Sequence, residues 1–335
     1  MDRGKFLTTL APVALALSLT GPCFEQARAQ EQAGDLNWRP SVVRPAYPAA
    51  EGPRVVLDAA HGSRQTIDGR YAGFAALLRA DGYLVEAGHK PFDQAGALED
   101  VTILVVSNAA SPDDGSQRSS AFTNSEIESV AAWVDRGGSL LLVADHAPHG
   151  TAAEMLAARF GVTMGKGYAF EQTDDGITTN LDFHGNGLGV HPIISGRDSA
   201  DQVKWVHTYT GQSLRGPLGS TVLLALDETA REAVDQPTLG QISRRIRDGE
   251  PAVDVFAELS RPALPAQGLA FSFGQGRVVV LGEAAMLTAQ ILHFPDQPEA
   301  EPFRFGLNTD DGHDDQQFAL NVIRWLSGAL PLDRR

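Results

Sequence analysis

The chain has 335 residues, of which 43% are hydrophobic, and its 27 basic and 42 acidic residues give a formal net charge of −15 at pH 7. This charge argues against nucleic acid as a partner, because the phosphate backbone would be repelled. No low-complexity linker or block of like charge divides the chain, so its length predicts a single domain over residues 53–330.

The N-terminus has the features of a secretory signal peptide. Basic residues precede the apolar stretch Phe6–Leu19, and the small-x-small sequence of residues 27–29 follows it. We expect cleavage before Gln30, an exported protein that is periplasmic or secreted, and no membrane span, since no later apolar run is long enough. Cleavage would change the net charge from −15 to −16 and remove Cys23, the only cysteine. Lipidation of Cys23 is the alternative, although Pro22 stands where a small residue is expected.

The first half of the domain alternates strand and helix patterns. Strands are predicted by "RVVLDAAHG" from Arg54, "YLVEAG", "VTILVVSNA" and "SLLLVADH". The segment "RYAGFAALLRADG" predicts a helix between the first two strands, with Gly82 at its end. Thr123 and Glu126 form a capping box that predicts the start of another helix.

A leader of extended chain over residues 30–52 precedes the domain. The second half of the domain begins with a loop-rich insertion over residues 165–219. The insertion is rich in Gly, Asp, Asn and Thr and shows no long helical period. "STVLLAL" predicts a strand, and Gly274-Gln275-Gly276 predicts the turn of a hairpin. The chain closes on a predicted helix, whose apolar face contains Phe318, Val322, Trp325 and Leu326.

Strands that alternate with helices predict an α/β fold with a doubly wound, mainly parallel sheet. A parallel sheet that is covered on both faces explains why these strands are continuously apolar. In such sheets ligands bind outside the carboxyl ends of the strands. Polar residues follow four predicted strands at these ends, so we predict a ligand site formed by Asp58, His61, Asn108, Asp145, His146, His149 and Glu283.

Each of these residues also has a purely structural interpretation. Asp58 and Asp145 could cap the following helices, and the histidines could be packing residues. A divalent metal is the one cofactor that the sequence leaves as an alternative. Zinc accepts His and Asp ligands, but "DHAPH" lacks the His-Glu-x-x-His signature of many zinc sites. The segment Asn308–Asp315 holds four aspartates and His313, and we interpret it as a solvated helix start in preference to a cation site.

The pieces "HPIISG", "GQGRVVVLGEAAM", "QFALNVIRWLSG" and the helix followed by "GGSLLLVADH" occur in an order that resembles the class I glutamine amidotransferase-like superfamily. The chain resembles in particular its non-amidotransferase branch, which contains ThuA-like domains and the GIFT-type domains of intraflagellar transport proteins. The resemblance implies a flavodoxin-like arrangement of the sheet and, for the ThuA-like group, carbohydrate-related roles.

True members with amidotransferase activity carry a cysteine on a sharp turn after a central strand, and the corresponding turn is expected at residues 145–147. The mature chain has no cysteine, so glutamine hydrolysis by that triad is excluded. No serine lies in a Gly-x-Ser-x-Gly elbow either.

The first hypothesis is therefore an exported amidotransferase-like domain that binds a small polar ligand, a sugar or glycan being the candidate, in the strand-end crevice. The second is a hydrolase, with or without a metal, whose catalytic residues would be Asp145, His146, His149 and Glu283. The third is a protein-interaction module without a small ligand.

Overall fold

A computed structural model describes residues 31–111, 119–173, 176–262, 264–293 and 303–332. The predicted signal peptide and its cleavage site lie outside the described residues. Among those described, no helix has the length and apolar character needed to cross a membrane.

The described residues form the following strands: β1 (Glu31–Gly34), β2 (Arg54–Asp58), β3 (Leu84–Gly88), β4 (Ile103–Ser107), β5 (Ser139–Val143), β6 (Thr163–Met164), β7 (Tyr168–Thr173), β8 (Gly176–Thr178), β9 (Asn180–His184), β10 (Trp205–Tyr209), β11 (Leu214–Arg215), β12 (Thr221–Ala225), β13 (Arg231–Ala233), β14 (Ala266–Phe273), β15 (Gly276–Leu281), β16 (Ala289–His293) and β17 (Phe303–Gly306). The helices are α1 (Ala72–Ala80), α2 (Asn124–Asp135), α3 (His149–Arg159), α4 (Pro192–Ser195), α5 (Gln236–Arg247), α6 (Ala252–Ala257) and α7 (Asp315–Leu326).

One large, mainly parallel sheet organises this mixed α/β fold. Within the described residues its strand order is β3-β2-β4-β5-β15-β14-β11-β6, with β12 beside β14. The neighbouring strands β3, β2, β4, β5 and β15 are all parallel, whereas β14, β11, β6 and β12 pair in antiparallel fashion. Smaller antiparallel sheets pair β16 with β1 and β17, β9 with β10, and β7 with β8 and β13.

The central strands are apolar throughout because both faces of the sheet are buried. Every residue of β4 and β5 is buried. On β4, Ile103 and Val105 belong to one core cluster, which also contains residues of α1 and α7. The alternating residues Leu104 and Val106 belong to a second cluster, which contains residues of α2 and α3. The two sides of β4 therefore belong to different core clusters, which accounts for its continuously apolar sequence.

Local sequence signals located several elements correctly. The side chain of Thr123 accepts from the backbone N–H of Glu126, and the Glu126 side chain accepts from that of Thr123, so the capping box is formed. The turn after Phe273 joins β14 to β15 as a hairpin. In the described part of residues 165–219 the structure has the short strands β7–β11 and the four-residue helix α4.

Helices α3, α4, α5 and α6 are not among the predicted elements. Helix α5 is polar overall, and Ile242 is the one residue that it buries in the described structure. Helix α3 begins after Pro148 without a side-chain N-cap, so its start carries none of the usual capping residues.

Candidate functional site

Polar residues stand at the carboxyl ends of four parallel strands. Asp58 is the last residue of β2 and Asn108 directly follows β4, while Asp145 and Glu283 each lie two residues beyond their strands, β5 and β15. Because these strands run in the same direction, all four residues lie at one edge of the sheet.

Hydrogen bonds join three of these strand ends directly. The Asn108 side-chain amide donates to Asp145 Oδ2 at 2.6 Å, and the Asp145 backbone N–H donates to Asn108 Oδ1 at 2.9 Å. The N–H of Ala284 donates to Asp145 Oδ1 at 2.7 Å. The Asp145 carboxylate therefore bridges the ends of β4 and β15.

The sharp turn at this edge lies at Asn108. Its φ of 44° is in the left-handed region, which asparagine tolerates better than most residues do. A second turn, at residues 146–148, joins β5 to α3 where the resemblance leads us to expect one, although none of residues 145–147 has a positive φ. The left-handed residue at this edge is the one that follows β4.

Glu283 is buried beneath the edge, with only 1% of its surface exposed. Its two carboxylate oxygens accept the N–H groups of Ala285 at 2.6 Å and Met286 at 2.8 Å. Burial, together with the charge of Asp145, raises the pKa of Glu283 well above its usual value. Glu283 therefore shapes the turn after β15 and has no exposed oxygen to offer.

His146 and His149 are half-buried beside Asp145. Nδ1 of His146 donates to the carbonyl of Ala147 at 2.9 Å, and Nδ1 of His149 donates to that of Ala109 at 3.4 Å. Each Nε2 has no hydrogen-bond partner among the described residues. Burial lowers the pKa of His149, which favours its neutral form. An imidazole that donates from Nδ1 presents, in its neutral form, an unprotonated Nε2 as an acceptor.

Asp58 and His61 form a separate cluster with Glu126. Nδ1 of His61 lies 2.9 Å from Asp58 Oδ1, and Nε2 lies 2.7 Å from Glu126 Oε1. The rings of Phe92 and Phe122 pack against the imidazole at centroid distances of 4.5 and 4.7 Å. Burial acts to lower the pKa of His61, but the hydrogen bonds and charges of the two carboxylates outweigh it, so the pKa is raised. Both ring nitrogens are occupied by carboxylates and neither is free for a ligand.

Three further residues at the edge carry no recognisable motif. The Tyr168 ring stacks on His146 at 3.7 Å with an interplanar angle of 17°. Gln212 is fully buried and donates from Nε2 to the carbonyls of Ala144 at 2.8 Å and Asp145 at 3.0 Å. Arg70, which directly precedes Tyr71 at the start of α1, is half-buried and interacts electrostatically with Asp145. Tyr168 and Gln212 belong to the insertion, which therefore reaches the edge of the sheet.

We use the name strand-end crevice for the half-buried residues Arg70, Asp145, His146, His149 and Tyr168. In this group no hydrogen bond or ion pair links Asp145 to either imidazole in the described structure, because both of its carboxylate oxygens accept from other donors. No group of three or more His, Cys, Asp or Glu side chains among the described residues is arranged to hold a metal ion. The geometry therefore suits hydrogen-bonded recognition better than proton transfer.

Other polar or concave features lie elsewhere. Two cavities, of about 480 Å³ and about 400 Å³, are lined by none of the strand-end crevice residues. In the segment Asn308–Asp315, Asp314 Oδ2 accepts the N–H groups of Lys204 at 2.7 Å and Trp205 at 3.1 Å, and α7 starts at Asp315. This segment is therefore a helix start anchored to β10, as expected, but it is not solvated throughout, since Asn308 and Asp315 are buried.

Comparison with known proteins gives a family and a fold. The family model described as "Domain of unknown function (DUF4350)" matches residues 69–296. The solved structure of the "mmIFT52 N-terminal domain" is 15% identical, with a TM-score of 0.51 over 82% of this chain and 97% of that chain. A "thua-like protein" from Bacteroides uniformis is 11% identical, with a TM-score of 0.43 over 85% of this chain and 97% of that chain. Among curated proteins, none matches the sequence.

Proposed function

The chain belongs to the DUF4350 family, a domain of unknown function, and we propose that it is an exported protein that binds a small polar ligand of the sugar or glycan class in the strand-end crevice. The observation that carries this proposal is the pair of half-buried imidazoles, His146 and His149, each with Nε2 unpartnered among the described residues, beside a fixed carboxylate and a tyrosine ring.

We further assign the domain to the non-amidotransferase branch of the class I glutamine amidotransferase-like superfamily, with a doubly wound, flavodoxin-like sheet. The parallel strand order β3-β2-β4-β5-β15 supports this, since counted along the chain it corresponds to the flavodoxin-like order 2-1-3-4-5. The likeness in fold to the "mmIFT52 N-terminal domain" supports it as well. A mature chain without cysteine has no nucleophile for glutamine hydrolysis.

Sugar recognition needs acceptors and donors at fixed positions. Because Nδ1 of each imidazole donates to a backbone carbonyl, the neutral ring leaves Nε2 as an acceptor for a ligand hydroxyl. The stacked Tyr168 and the hydrogen-bonded Asp145 hold this wall rigid, which lowers the entropic cost of binding.

The alternative of a hydrolase at the same residues has less support. A general base of the His-Asp type needs a carboxylate hydrogen-bonded to the imidazole, and Asp145 contacts neither His146 nor His149 in this way. No observation in the structure favours an interaction module over a ligand site.

Export predicts a defined mature protein. We expect the intact mass of protein recovered from the exported fraction to correspond to a chain that starts at Gln30, because residues 27–29 form the cleavage signal. A diacylglyceryl adduct on Cys23, or an uncleaved chain, would contradict this prediction.

Binding predicts a measurable loss in a His146 variant. In a thermal-shift screen of glucose, galactose, mannose and N-acetylglucosamine, we expect at least one sugar to raise the unfolding midpoint, because a ligand stabilises the state that it binds. His146→Gln should make the binding free energy of that sugar less favourable by about 1–2 kcal/mol, the scale of one lost hydrogen bond.

His89→Gln is the matched control, because His89 is exposed and lies outside the strand-end crevice. It should bind the sugar as the wild type does. Unchanged binding in folded His146→Gln and His149→Gln proteins would show that the crevice is not the ligand site. Turnover of a glycoside by the wild type, with loss of rate but not of binding in His146→Gln, would favour the hydrolase alternative.

A further inference from the structure

Arg70 is a half-buried cation whose guanidinium has no ion-pair or hydrogen-bond partner in the part of the chain that the structure describes. Among the described residues, no carboxylate forms an ion pair with it and no acceptor receives a hydrogen bond from its guanidinium. The Asp145 carboxylate is close enough to act on Arg70 electrostatically, but its two oxygens accept from Asn108 and Ala284. A guanidinium that is held partly out of water, with no acceptor for its N–H groups among the described residues, is suited to bind a partner from outside the chain.

The loop between β2 and α1 carries Arg70 across the edge of the sheet. The N–H of Ala110 donates to the carbonyl of His61 at 2.9 Å, and this anchors the loop beside the end of β4. The carbonyl of the preceding residue, Ala109, accepts from His149 Nδ1. Tyr71, next to Arg70, accepts from Ser107 Oγ at 2.9 Å. The loop that bears Arg70 and the imidazole of His149 are thus fixed to the same short segment after β4.

The charge balance at this edge differs from that of the whole chain, whose net charge is −15. The exposed side chain of Arg64 also has no ion-pair partner among the described residues, and the Arg70 N–H donates to the Arg64 carbonyl at 3.3 Å. Of the carboxyl groups that the described residues bring to this edge, Asp58 is paired with His61, and Glu283 is driven toward its neutral form by burial and by the charge of Asp145, which raise its pKa. Among the described residues, the edge therefore holds two guanidinium groups without an ion-pair partner, while the oxygens of Asp145 are already hydrogen-bonded.

From this arrangement we propose that the ligand of the strand-end crevice carries an oxyanion, a carboxylate or a phosphate, which binds to the guanidinium of Arg70 while Nε2 of His146 and His149 accept from its hydroxyl groups. The planar guanidinium of arginine suits both oxyanions, because it donates two parallel N–H groups to two oxygens. This inference rests on the proposed function and narrows its ligand class from sugars in general to acidic sugars.

The experiment compares sugars that differ only in the oxyanion. Glucose, glucuronate and glucose 6-phosphate are titrated by calorimetry against the mature wild-type protein, with inorganic phosphate as a probe without a sugar. We expect glucuronate or glucose 6-phosphate to bind about tenfold or more tightly than glucose. Their affinity, but not that of glucose, should weaken as the salt concentration is raised.

Arg70→Gln should reduce binding of the acidic sugar about tenfold or more and leave binding of glucose nearly unchanged. Arg70→Lys should retain part of the preference, because it keeps the charge but loses the planar pair of donors. Arg136→Gln is the matched control, since Arg136 is exposed at the end of α2, away from the crevice. The midpoint of thermal unfolding of each variant without ligand checks that it is folded.

The outcomes separate this inference from the proposed function. If glucose and both acidic sugars bind with equal affinity, and Arg70→Gln leaves these affinities unchanged, the proposed oxyanion contact is overturned and the sugar site is kept. Binding of inorganic phosphate that Arg70→Gln abolishes, with no binding of any sugar, would support the oxyanion and overturn the sugar class. An acidic sugar bound equally by wild type and Arg70→Gln would place the anion elsewhere and refute the role of Arg70.

Discussion

Replacement of Arg324 by leucine is expected to lower the free energy of unfolding by about 3–5 kcal/mol, because it leaves a buried carboxylate without its counter-charge. Arg324 lies on α7 and has 1% of its side chain exposed, while its main partner Asp81, at the end of α1, has none exposed. The two are joined by a bidentate pair, from Nε to Oδ2 at 2.9 Å and from Nη2 to Oδ1 at 2.7 Å.

The same guanidinium also fixes segments far apart in the chain. Nη1 of Arg324 donates to Asp201 Oδ2 at 3.2 Å, and Nη2 donates to the carbonyl of Arg44 at 3.1 Å. Asp81 Oδ1 accepts the N–H of Ala46 at 2.8 Å. Loss of the guanidinium therefore releases the contact of α7 with α1, with the leader and with the loop before β10 at once, which explains why a single side chain has a large effect.

A double variant distinguishes the effect of the unpaired carboxylate from that of the lost arginine side chain. Asp81→Asn combined with Arg324→Leu removes the uncompensated charge, so it should recover a substantial part of the stability lost in Arg324→Leu. Arg159→Leu is the control, because Arg159 pairs with Glu128 at the surface and such exposed pairs contribute little. Urea denaturation of the four proteins measures the effect, and equal stability of Arg324→Leu and wild type would show that this network is not needed for the fold.

The parallel core of the fold could be predicted from the sequence because its signals are local and strong. Uninterrupted apolar strands, the capping box at Thr123 and the Gly274–Gly276 turn each specify one element with little help from the rest of the chain. The pairing of β1 with β16 could not be predicted, since these strands are about 250 residues apart in sequence and no residue pattern links them. Helix α5 was missed because it buries little apolar surface.

The sequence predicts at which edge of the sheet the candidate site lies, but it does not predict the contacts between the side chains there. The rule that strand ends meet at one edge locates Asn108, Asp145 and Glu283 correctly, because it depends only on strand direction. Sequence could not separate His61 from His146, since both follow strands by a few residues; the difference lies in Glu126, which comes from α2 and occupies the second ring nitrogen of His61. Arg70 and Tyr168 carry no motif, and only tertiary contacts bring them to the edge.

The cluster of Asp58, His61 and Glu126 should make stability depend on pH in one direction. The two carboxylates raise the pKa of His61 in the folded state above 6.5, its ordinary value, so the folded chain binds this proton more tightly than the unfolded chain does. The stabilisation is therefore complete below pH 6.5 and is lost as the pH rises through the folded pKa. Since Glu126 also caps α2 and accepts the Phe92 N–H at 3.2 Å, loss of the imidazolium weakens the contact between β2 and α2.

His61→Gln tests this directly, because it removes the charge but keeps a polar side chain between two carboxylates whose exposed fractions are 1% and 6%. At about pH 6 we expect the variant to lose more of the free energy of unfolding than at about pH 9, where the wild-type imidazole is itself neutral; linkage sets the difference at about 1.4 kcal/mol for each unit by which the fold raises the pKa of His61. The relevant quantity is the difference between wild type and variant at each pH, because His313 also has a raised pKa and titrates in the same direction in both proteins. His89→Gln, at an exposed position, should leave the pH dependence as it is in the wild type. A His61→Gln difference that is the same at both pH values would show that the imidazole is neutral in the fold and that the cluster is held by neutral hydrogen bonds alone.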